Sequence, residues 1–204
     1  KGEAPLKENM AAGLLKLSGW TPDMPLLDPF CGSGTIAIEA ASIACGLVPG
    51  ISRPFGFEKL LNFDRELWTE LREDAKSEVN LHREVSITAS DISSIVVRKA
   101  EANALRAGLG GLLESGNLKF SVCDARNVLP PTETPGIIVA NPPYGEQSTP
   151  RSATVGSMMR HVADNLKHNF AGWTAWMLTS DRHLPGEMHL KEGRKTVLFN
   201  GHLV

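Results

Sequence analysis

The stretch from Leu26 to Ala41 constrains the fold of this chain more than any other. It predicts a short apolar strand, a turn that contains Gly32 and Gly34, and a helix rich in small residues. Glycine lets a backbone pass close to a ligand, and the free N–H groups at the start of the helix point to the same place. Asp28 adds a carboxylate to the turn, which disfavours a phosphate and favours a ligand that carries an amine or another cation.

Strand and helix patterns alternate along the rest of the chain. Further strand patterns occur at residues 85–89, 118–122, 136–140 and 173–178. Residues 195–199 and those from His202 onward predict a hairpin, with Asn200-Gly201 as a favoured two-residue turn. We therefore expect an α/β fold with a doubly wound, mostly parallel seven-stranded sheet and a C-terminal antiparallel hairpin.

The composition sets limits on the kind of protein this can be. A length of 204 residues is expected to form one domain, residues 1–204, in which residues 1–20 are an N-terminal segment with a helix from Glu8 to Ser18. The net charge of −2 gives no global basic signal, although the last third is mildly basic. Three widely spaced cysteines predict no zinc site, and the lack of a leader or a long apolar run predicts a cytoplasmic protein. Because the chain begins at Lys1, we expect it to be part of a longer protein.

Four of the predicted strands end in a polar side chain: Asp28, Asp91, Asp124 or Asn141. Each residue alone is weak evidence, because aspartate commonly ends strands and caps helices; for Asp91, capping is as good an interpretation as ligand binding. In an open parallel sheet, however, ligands bind beyond the carboxyl ends of the strands. The four together predict a binding site at that edge.

A nucleoside suits three of these positions. A carboxylate at the end of the second strand, Asp91, accepts hydrogen bonds from ribose hydroxyls. Asp124 can accept from the exocyclic amine of adenine, with the Ala125 backbone beside the ring. Asp28 then faces whatever lies beyond the ribose, and it would repel a pyrophosphate. A nucleoside that bears an amino acid and a sulfonium fits these charges better.

Two common nucleotide-binding motifs fail on the same stretch. The third glycine of the dinucleotide fingerprint GxGxxG is missing, because Ala37 occupies its position. No Gly-Lys-Ser/Thr follows the turn, which excludes a Walker phosphate loop. An NAD-type oxidoreductase is therefore disfavoured.

The segment Asn141-Pro142-Pro143-Tyr144 is the most specific feature of the chain. Proline fixes the backbone and carries no N–H, so the carbonyl oxygens are left to accept hydrogen bonds. The side-chain oxygen of Asn141 and the carbonyl of Pro142 can both accept from one planar NH₂ group. Tyr144, the only tyrosine, can stack on a flat base. The alternative is a rigid turn with a packing tyrosine, which a position directly after a buried strand disfavours.

The two motifs together resemble class I S-adenosylmethionine-dependent amino-group methyltransferases. The residues that carry the resemblance are Asp28-Pro29-Phe30-Cys31-Gly32-Ser33-Gly34-Thr35 and Asn141-Pro142-Pro143-Tyr144-Gly145. Residues 2–8 and the insertion from Phe63 to Trp68 narrow it to the catalytic domain of the THUMP-containing RNA guanine-N2 methyltransferases, in particular the bacterial group acting on 23S ribosomal RNA. The resemblance covers essentially the whole chain. It implies a Rossmann-like fold and an RNA-binding THUMP domain upstream of Lys1.

The resemblance also implies roles for individual residues. The cofactor, S-adenosylmethionine or its product S-adenosylhomocysteine, would be bound by Asp28, Pro29, Phe30, Cys31, Gly32, Ser33, Gly34, Thr35, Asp91, Ile92, Asp124, Ala125 and Asn141. Asp28 would meet the ammonium group, and the backbone from Cys31 to Gly34 would wrap the methionine part. Asn141, Pro142 and Tyr144 would be catalytic, with no metal. Many members have Glu-Arg where Glu146-Gln147 stand here, so their phosphate contact is not carried over.

The implied reaction transfers a methyl group to the exocyclic N2 of a guanine that has left its stack. Positioning would carry most of the catalysis, without a dedicated general base. Two enzymes with the same Asn-Pro-Pro-Tyr logic remain open, an adenine-N6 DNA methyltransferase and a glutamine-N5 protein methyltransferase. A third alternative is an inactive module that binds cofactor and RNA. RNA affinity is expected to come mainly from the upstream domain.

Overall fold

In the part of the chain that the structure describes, five parallel strands form one sheet in the order β3-β2-β1-β4-β5. The structure is a computed structural model that describes residues 6–51, 53–143 and 151–198, with the backbone alone for residues 151–154. The strands are β1 (Leu26–Asp28), β2 (Ile87–Asp91), β3 (Leu118–Val122), β4 (Ile137–Ala140) and β5 (Thr174–Met177). The order reverses between β1 and β4, so a crevice opens there at the carboxyl ends of the strands.

Helices lie between the strands, as expected for parallel crossovers. They are α1 (Glu8–Ser18), α2 (Thr35–Ala44), α3 (Arg65–Ser77), α4 (Ser94–Arg106), α5 (Gly110–Ser115), α6 (Arg151–Asn169) and α7 (Leu184–Glu187), with a 3₁₀ turn at Gly56–Lys59. No helix in the described ranges is both long and apolar enough to cross a membrane.

The two central strands are buried along their whole length. Side chains alternate between the faces: Leu26 packs in the cluster of α1 and α2, while Leu27 packs in the cluster of α6. Each fully buried leucine contributes about 1.5–3 kcal/mol. Alternation with apolar residues on both faces is why β1 and β4 appear in the sequence as continuous apolar runs.

Helix α2 lies close to the sheet because its inner face is made of small residues. Ala37, Ala40 and Ala41 are fully buried and share one cluster with Ala11 of α1. This close packing holds the start of α2, and the glycine turn before it, against the end of β1.

Most of the predicted elements are confirmed, and two short helices were not predicted. Asp64 caps α3, with its Oδ1 accepting from the Leu67 N–H at 3.0 Å. Trp68 packs against Phe57 with ring centroids 4.9 Å apart. The sequence offered no apolar periodicity long enough to indicate α5 or α7.

The prediction of seven strands and a C-terminal hairpin is wrong for the described residues, which form five strands, all parallel. Residues 195–198 form no strand, and Val197 is 67% exposed. A β-prone segment becomes a strand only where a strand edge pairs with it, and no strand of the described residues pairs with residues 195–198. The rest of the predicted hairpin, Phe199 to Val204, lies outside the described residues.

Gly34→Ala should destabilise the fold. Gly34 has φ +88°, and an added Cβ would lie 3.0 Å from the Ala100 Cβ and 3.2 Å from Phe120 Cε1. Backbone strain and overpacking together predict a loss of about 2–4 kcal/mol in the free energy of unfolding. The measurement is urea unfolding.

The matched control is Gly108→Ala. Gly108 has nearly the same φ, +82°, but an added Cβ would meet no atom within 4 Å in the part of the chain that the structure describes. Only the backbone strain of about 1–2 kcal/mol then applies. Equal losses in the two variants would contradict a packing role for Gly34.

Candidate functional site

The turn after β1 is tied to the end of β2 by two hydrogen bonds. The Cys31 N–H donates to the Ser90 carbonyl at 2.8 Å, and the Gly32 N–H donates to Asp91 Oδ2 at 3.2 Å. Within the turn, the Gly34 N–H donates to the Cys31 carbonyl at 2.8 Å. These bonds fix the path of the backbone from Cys31 to Gly34 at the mouth of the crevice.

Gly32 and Gly34, which look alike in the sequence, do different work in the fold. Gly34 packs against α4 and β3, as described above. Gly32 has φ +52°, and beyond its two chain neighbours no atom of the described residues lies within 4 Å of the place where its Cβ would be. The backbone at Gly32 therefore borders open space, the kind of cradle that a ligand can enter and a side chain would fill.

Asp28 is a buried carboxylate, 1% exposed, at the end of β1. Its Oδ1 accepts from the Phe30 N–H at 3.1 Å. Burial raises its pKa to about 7, the charge of Asp91 adds to the rise, and the Phe30 N–H partly offsets it. No ion pair reaches Asp28 among the described residues. A buried carboxylate in this state favours either a proton or a cationic ligand.

Asp91 has a structural role that the sequence did not indicate. Its Oδ2 holds the Gly32 N–H, and its Oδ1 accepts from the Ser93 N–H at 2.9 Å. Each carboxylate oxygen has a further lone pair, so the side chain can still accept from a ligand hydroxyl. Ile92, the next residue, is exposed beside it.

Asp124 is paired with a residue that the sequence analysis missed. Arg126 Nη2 lies 2.5 Å from Asp124 Oδ2, and Arg126 Nε lies 3.0 Å from both carboxylate oxygens. Hydrogen bonding to the Arg126 guanidinium lowers the pKa of Asp124. The neighbouring Ala125 is buried. Its carbonyl and that of Val128 accept from Asn165 of α6, which anchors this loop.

Asn103 of α4 is a second residue that sequence reasoning missed. Its side-chain N–H donates to the Ser33 carbonyl at 2.8 Å, which anchors the glycine turn to α4. Its oxygen accepts from Arg106 one turn further on. The available signal was an asparagine in the interior of a helix, where this residue is intrinsically unfavourable.

Asn141 follows β4 directly, on the other side of β1 from Asp91. It is half-buried, Pro142 is buried and Pro143 is exposed. The Ala140 carbonyl just before them accepts from the Leu178 N–H at 2.9 Å, which anchors this strand end to β5. Tyr144, Glu146 and Gln147 lie outside the described residues.

Cys31 is unsuited to be a nucleophile. Burial, with the neighbouring charges of Asp28 and Asp91, raises the pKa of its thiol far above the ordinary value. The reactive form of cysteine is the thiolate, which this environment disfavours. In the described part of the chain no group of three His, Cys, Asp or Glu side chains could hold a metal ion.

The strand order places four of the predicted site residues along one edge. In the sheet order β3-β2-β1-β4, the strand ends carry Asp124, Asp91, Asp28 and Asn141 in turn. The cradle at Gly32 lies beside Asp28 and Asp91. The arrangement offers an elongated ligand three carboxylates, each in a different electrostatic environment. The Asn141 amide and the Pro142 carbonyl follow next to them.

A family model described as "RMKL-like, methyltransferase domain" matches residues 1–204. The chain belongs to this family. The resemblance noted in the sequence is thus confirmed at the family level, as is a class I methyltransferase fold with a parallel sheet.

Named relatives agree with this assignment. The chain is 42% identical over 210 residues to the ribosomal RNA large subunit methyltransferase K/L of Shewanella baltica, covering 99% of this chain and 28% of that protein. The chain therefore spans under a third of the length of such curated relatives.

Two solved structures are also similar. A proposed methyltransferase, SMU.472, in complex with SAH has 31% identity to this chain and a TM-score of 0.85. The match covers 99% of this chain and 52% of the SMU.472 chain. A protein from Listeria monocytogenes, described as a predicted N6-adenine-specific DNA methylase, has 34% identity to this chain and a TM-score of 0.84. The match covers 96% of this chain and 50% of the Listeria chain.

The buried Asp28 makes the stability of the ligand-free protein depend on pH. Its pKa of about 7 in the folded state lies above the ordinary value of 3.8. The contribution of Asp28 to the free energy of unfolding is therefore complete below about pH 4. It is lost as the pH rises to about 7, and the loss is at most about 4 kcal/mol. Asp28→Asn should flatten the profile of unfolding free energy between pH 4 and 8.

The control for this measurement is Asp74→Asn, at an exposed position on α3. It should leave the slope of unfolding free energy against pH as in the unsubstituted protein. If Asp28→Asn also leaves that slope unchanged, the elevated pKa of Asp28 is wrong.

Proposed function

We propose that this domain transfers a methyl group from S-adenosylmethionine to the exocyclic N2 of a guanine in 23S ribosomal RNA. Membership of a methyltransferase family and the large-subunit K/L relative support methyl transfer to ribosomal RNA. The observation that carries the proposal is the row of Asp124, Asp91, Asp28 and Asn141 along one edge of the sheet. The protein is proposed to act in the cytoplasm.

The residues present fit S-adenosylmethionine, which supplies an electrophilic methyl group on a sulfonium sulfur. The open cradle at Gly32 suits an approaching ligand, and a buried carboxylate that has no ion pair with any described residue suits its ammonium. Asp28 would bind that ammonium, and the backbone around it would hold the methionine part. The residues proposed to line the cofactor are Asp28, Pro29, Phe30, Cys31, Gly32, Ser33, Gly34, Thr35, Asp91, Ile92, Asp124, Ala125 and Asn141. A match to the SAH complex supports this choice.

Asn141 and Pro142 are proposed to hold the target amine. The side-chain oxygen of Asn141 and the carbonyl of Pro142 would each accept one hydrogen of the guanine NH₂, which turns its lone pair toward the methyl group. Tyr144 would stack on the base. The guanine amine is a weak nucleophile because its lone pair is conjugated, so orientation is the main contribution asked of these residues.

RNA affinity is proposed to come largely from a THUMP domain upstream of this one. The domain itself carries a net charge of −2, which gives little sequence-independent attraction for phosphates. A second candidate function, adenine-N6 methylation of DNA, is favoured by the similarity to the Listeria protein. Its proposed amine-holding residues would be the same.

Nucleoside mass spectrometry separates the two candidate functions. The full-length protein is incubated with isotopically labelled S-adenosylmethionine and either unmodified 23S ribosomal RNA or unmethylated duplex DNA. We expect label in N2-methylguanosine from the RNA and none in the DNA. Label in N6-methyladenine would overturn the guanine proposal. When a cell extract replaces the nucleic acids, label found only in protein would favour a glutamine substrate.

Asn141→Ala is expected to lower methyl transfer by about a hundredfold or more, because the amine loses an orienting acceptor. Cofactor binding, measured by calorimetry with S-adenosylhomocysteine, should change little, because Asn141 is only one of the many residues proposed to line the cofactor. Asp91→Ala is a comparison variant with the opposite expectation. It should weaken cofactor binding, because it removes both the proposed ribose acceptor and the acceptor of the Gly32 N–H. Unchanged turnover in Asn141→Ala would remove Asn141 from the mechanism.

A further inference from the structure

The carboxylate of Asp124 is held more completely than the other two carboxylates at this edge. Arg126 contributes its backbone N–H to Oδ1 at 2.9 Å, its Nε to both oxygens at 3.0 Å and its Nη2 to Oδ2 at 2.5 Å. A planar guanidinium facing a carboxylate in this way fixes its orientation as well as its position. The Asn127 N–H also donates to the Asp124 carbonyl at 2.8 Å, which tightens the same turn.

This ion pair contributes little to the stability of the fold. The Arg126 side chain is 47% exposed and that of Asp124 is 19% exposed. Exposed pairs of this kind give small net stabilisation, because solvent screens the charges and both side chains lose freedom. The more substantial consequence is local: rotation of the Asp124 side chain is restricted.

The restricted carboxylate still has room to accept a further hydrogen bond. A carboxylate has about four lone-pair sites. Oδ1 receives the backbone N–H and a share of Nε, while Oδ2 receives Nη2 and the other share of Nε. Only three hydrogens, from the backbone N–H, Nε and Nη2 of Arg126, meet about four lone-pair sites, so one acceptor site remains for a further donor.

We propose that Arg126 is a positioning residue that fixes Asp124 as an oriented, acceptor-only group and so makes the site select a 6-aminopurine over a 6-oxopurine cofactor. The proposal rests on the proposed contact of Asp124 with the adenine amine. An ionised carboxylate accepts from an amine but has no hydrogen to offer a carbonyl oxygen. A 6-oxo group at that place would set two acceptors against each other. Arg126 itself need not touch the cofactor.

A mobile carboxylate would lose this selectivity. Without the guanidinium, Asp124 can rotate away from a 6-oxo group and let water take its place, so the mismatch no longer costs much. The lowered pKa of Asp124, which follows from the same contact, also keeps its carboxyl from becoming a hydrogen-bond donor at acidic pH.

The test compares two ligands by calorimetry: S-adenosylhomocysteine and its 6-oxo analogue, S-inosylhomocysteine. The proteins are the unsubstituted protein, Arg126→Ala, Arg126→Lys and Asp124→Ala. We expect a preference of at least about tenfold for the 6-amino ligand in the unsubstituted protein, which one mismatched hydrogen bond supplies. Arg126→Ala should lower that preference to about threefold or less, and Arg126→Lys, which keeps charge but not the fork, should be intermediate.

A turnover measurement distinguishes positioning from damage to the fold. For Arg126→Ala the KM for S-adenosylmethionine should rise, while kcat at saturating cofactor stays within about twofold, because the substituted residue does not act on the methyl transfer itself. A fall in kcat with unchanged KM would overturn the proposal.

The outcomes also separate this inference from the proposed function. If Asp124→Ala loses the preference but Arg126→Ala keeps it, Arg126 is not a positioning residue and the contact of Asp124 stands. If Asp124→Ala keeps the full preference, the proposed adenine contact itself is wrong. If Arg126→Ala binds S-adenosylhomocysteine more tightly than the unsubstituted protein, Arg126 competes with the cofactor and the proposal is overturned.

Discussion

The hydrogen bond from the Gly32 N–H to the Asp91 carboxylate joins the turn after β1 to the end of β2. The two strands pair in parallel, so their carboxyl ends come to the same edge, but pairing alone does not fix the loop beyond it. This bond, together with the one from Cys31 to Ser90, does so. The open space at Gly32 depends on these two hydrogen bonds, because they hold the backbone of the turn in place at the edge of the crevice.

The carboxylates of Asp28, Asp91 and Asp124 lie along this edge, and the negative charge of each is accommodated in a different way. Asp28 is buried, and its raised pKa makes a proton or a cationic ligand its preferred partner. Asp91 is held by two backbone N–H groups. Asp124 is paired with Arg126. A single extended ligand with an ammonium at one end and a neutral amine at the other would match these three environments. Its cationic end would lie at the buried carboxylate.

Much of the candidate site could be predicted from the sequence, because its residues follow directly from strand ends. Apolar runs locate β1 and β4, and polar residues immediately after them are bound to lie at the carboxyl edge. The residues that support the site could not be found this way. Asn103 and Asn165 act through contacts with residues far away in the chain, which depend on how α4 and α6 pack. Arg126 lies only two residues from Asp124, but the sequence does not say that its side chain turns back onto that carboxylate.

The sequence by itself determined the class of fold, the glycine turn, the row of polar strand ends and the methyltransferase family. These follow from local chemistry: periodicity, glycine freedom and proline rigidity act over a few residues. Only the tertiary structure decided which glycine faces open space and which is packed, and that residues 195–198 form no strand. It also decided that Asp91 and Asp124 already have partners. The packing of Gly34 and the bond from Gly32 to Asp91 depend on residues far away in the chain. The contacts of Asp91 with Ser93 and of Asp124 with Arg126 are local, but which of the available hydrogen-bond partners each carboxylate takes is decided only in the folded chain.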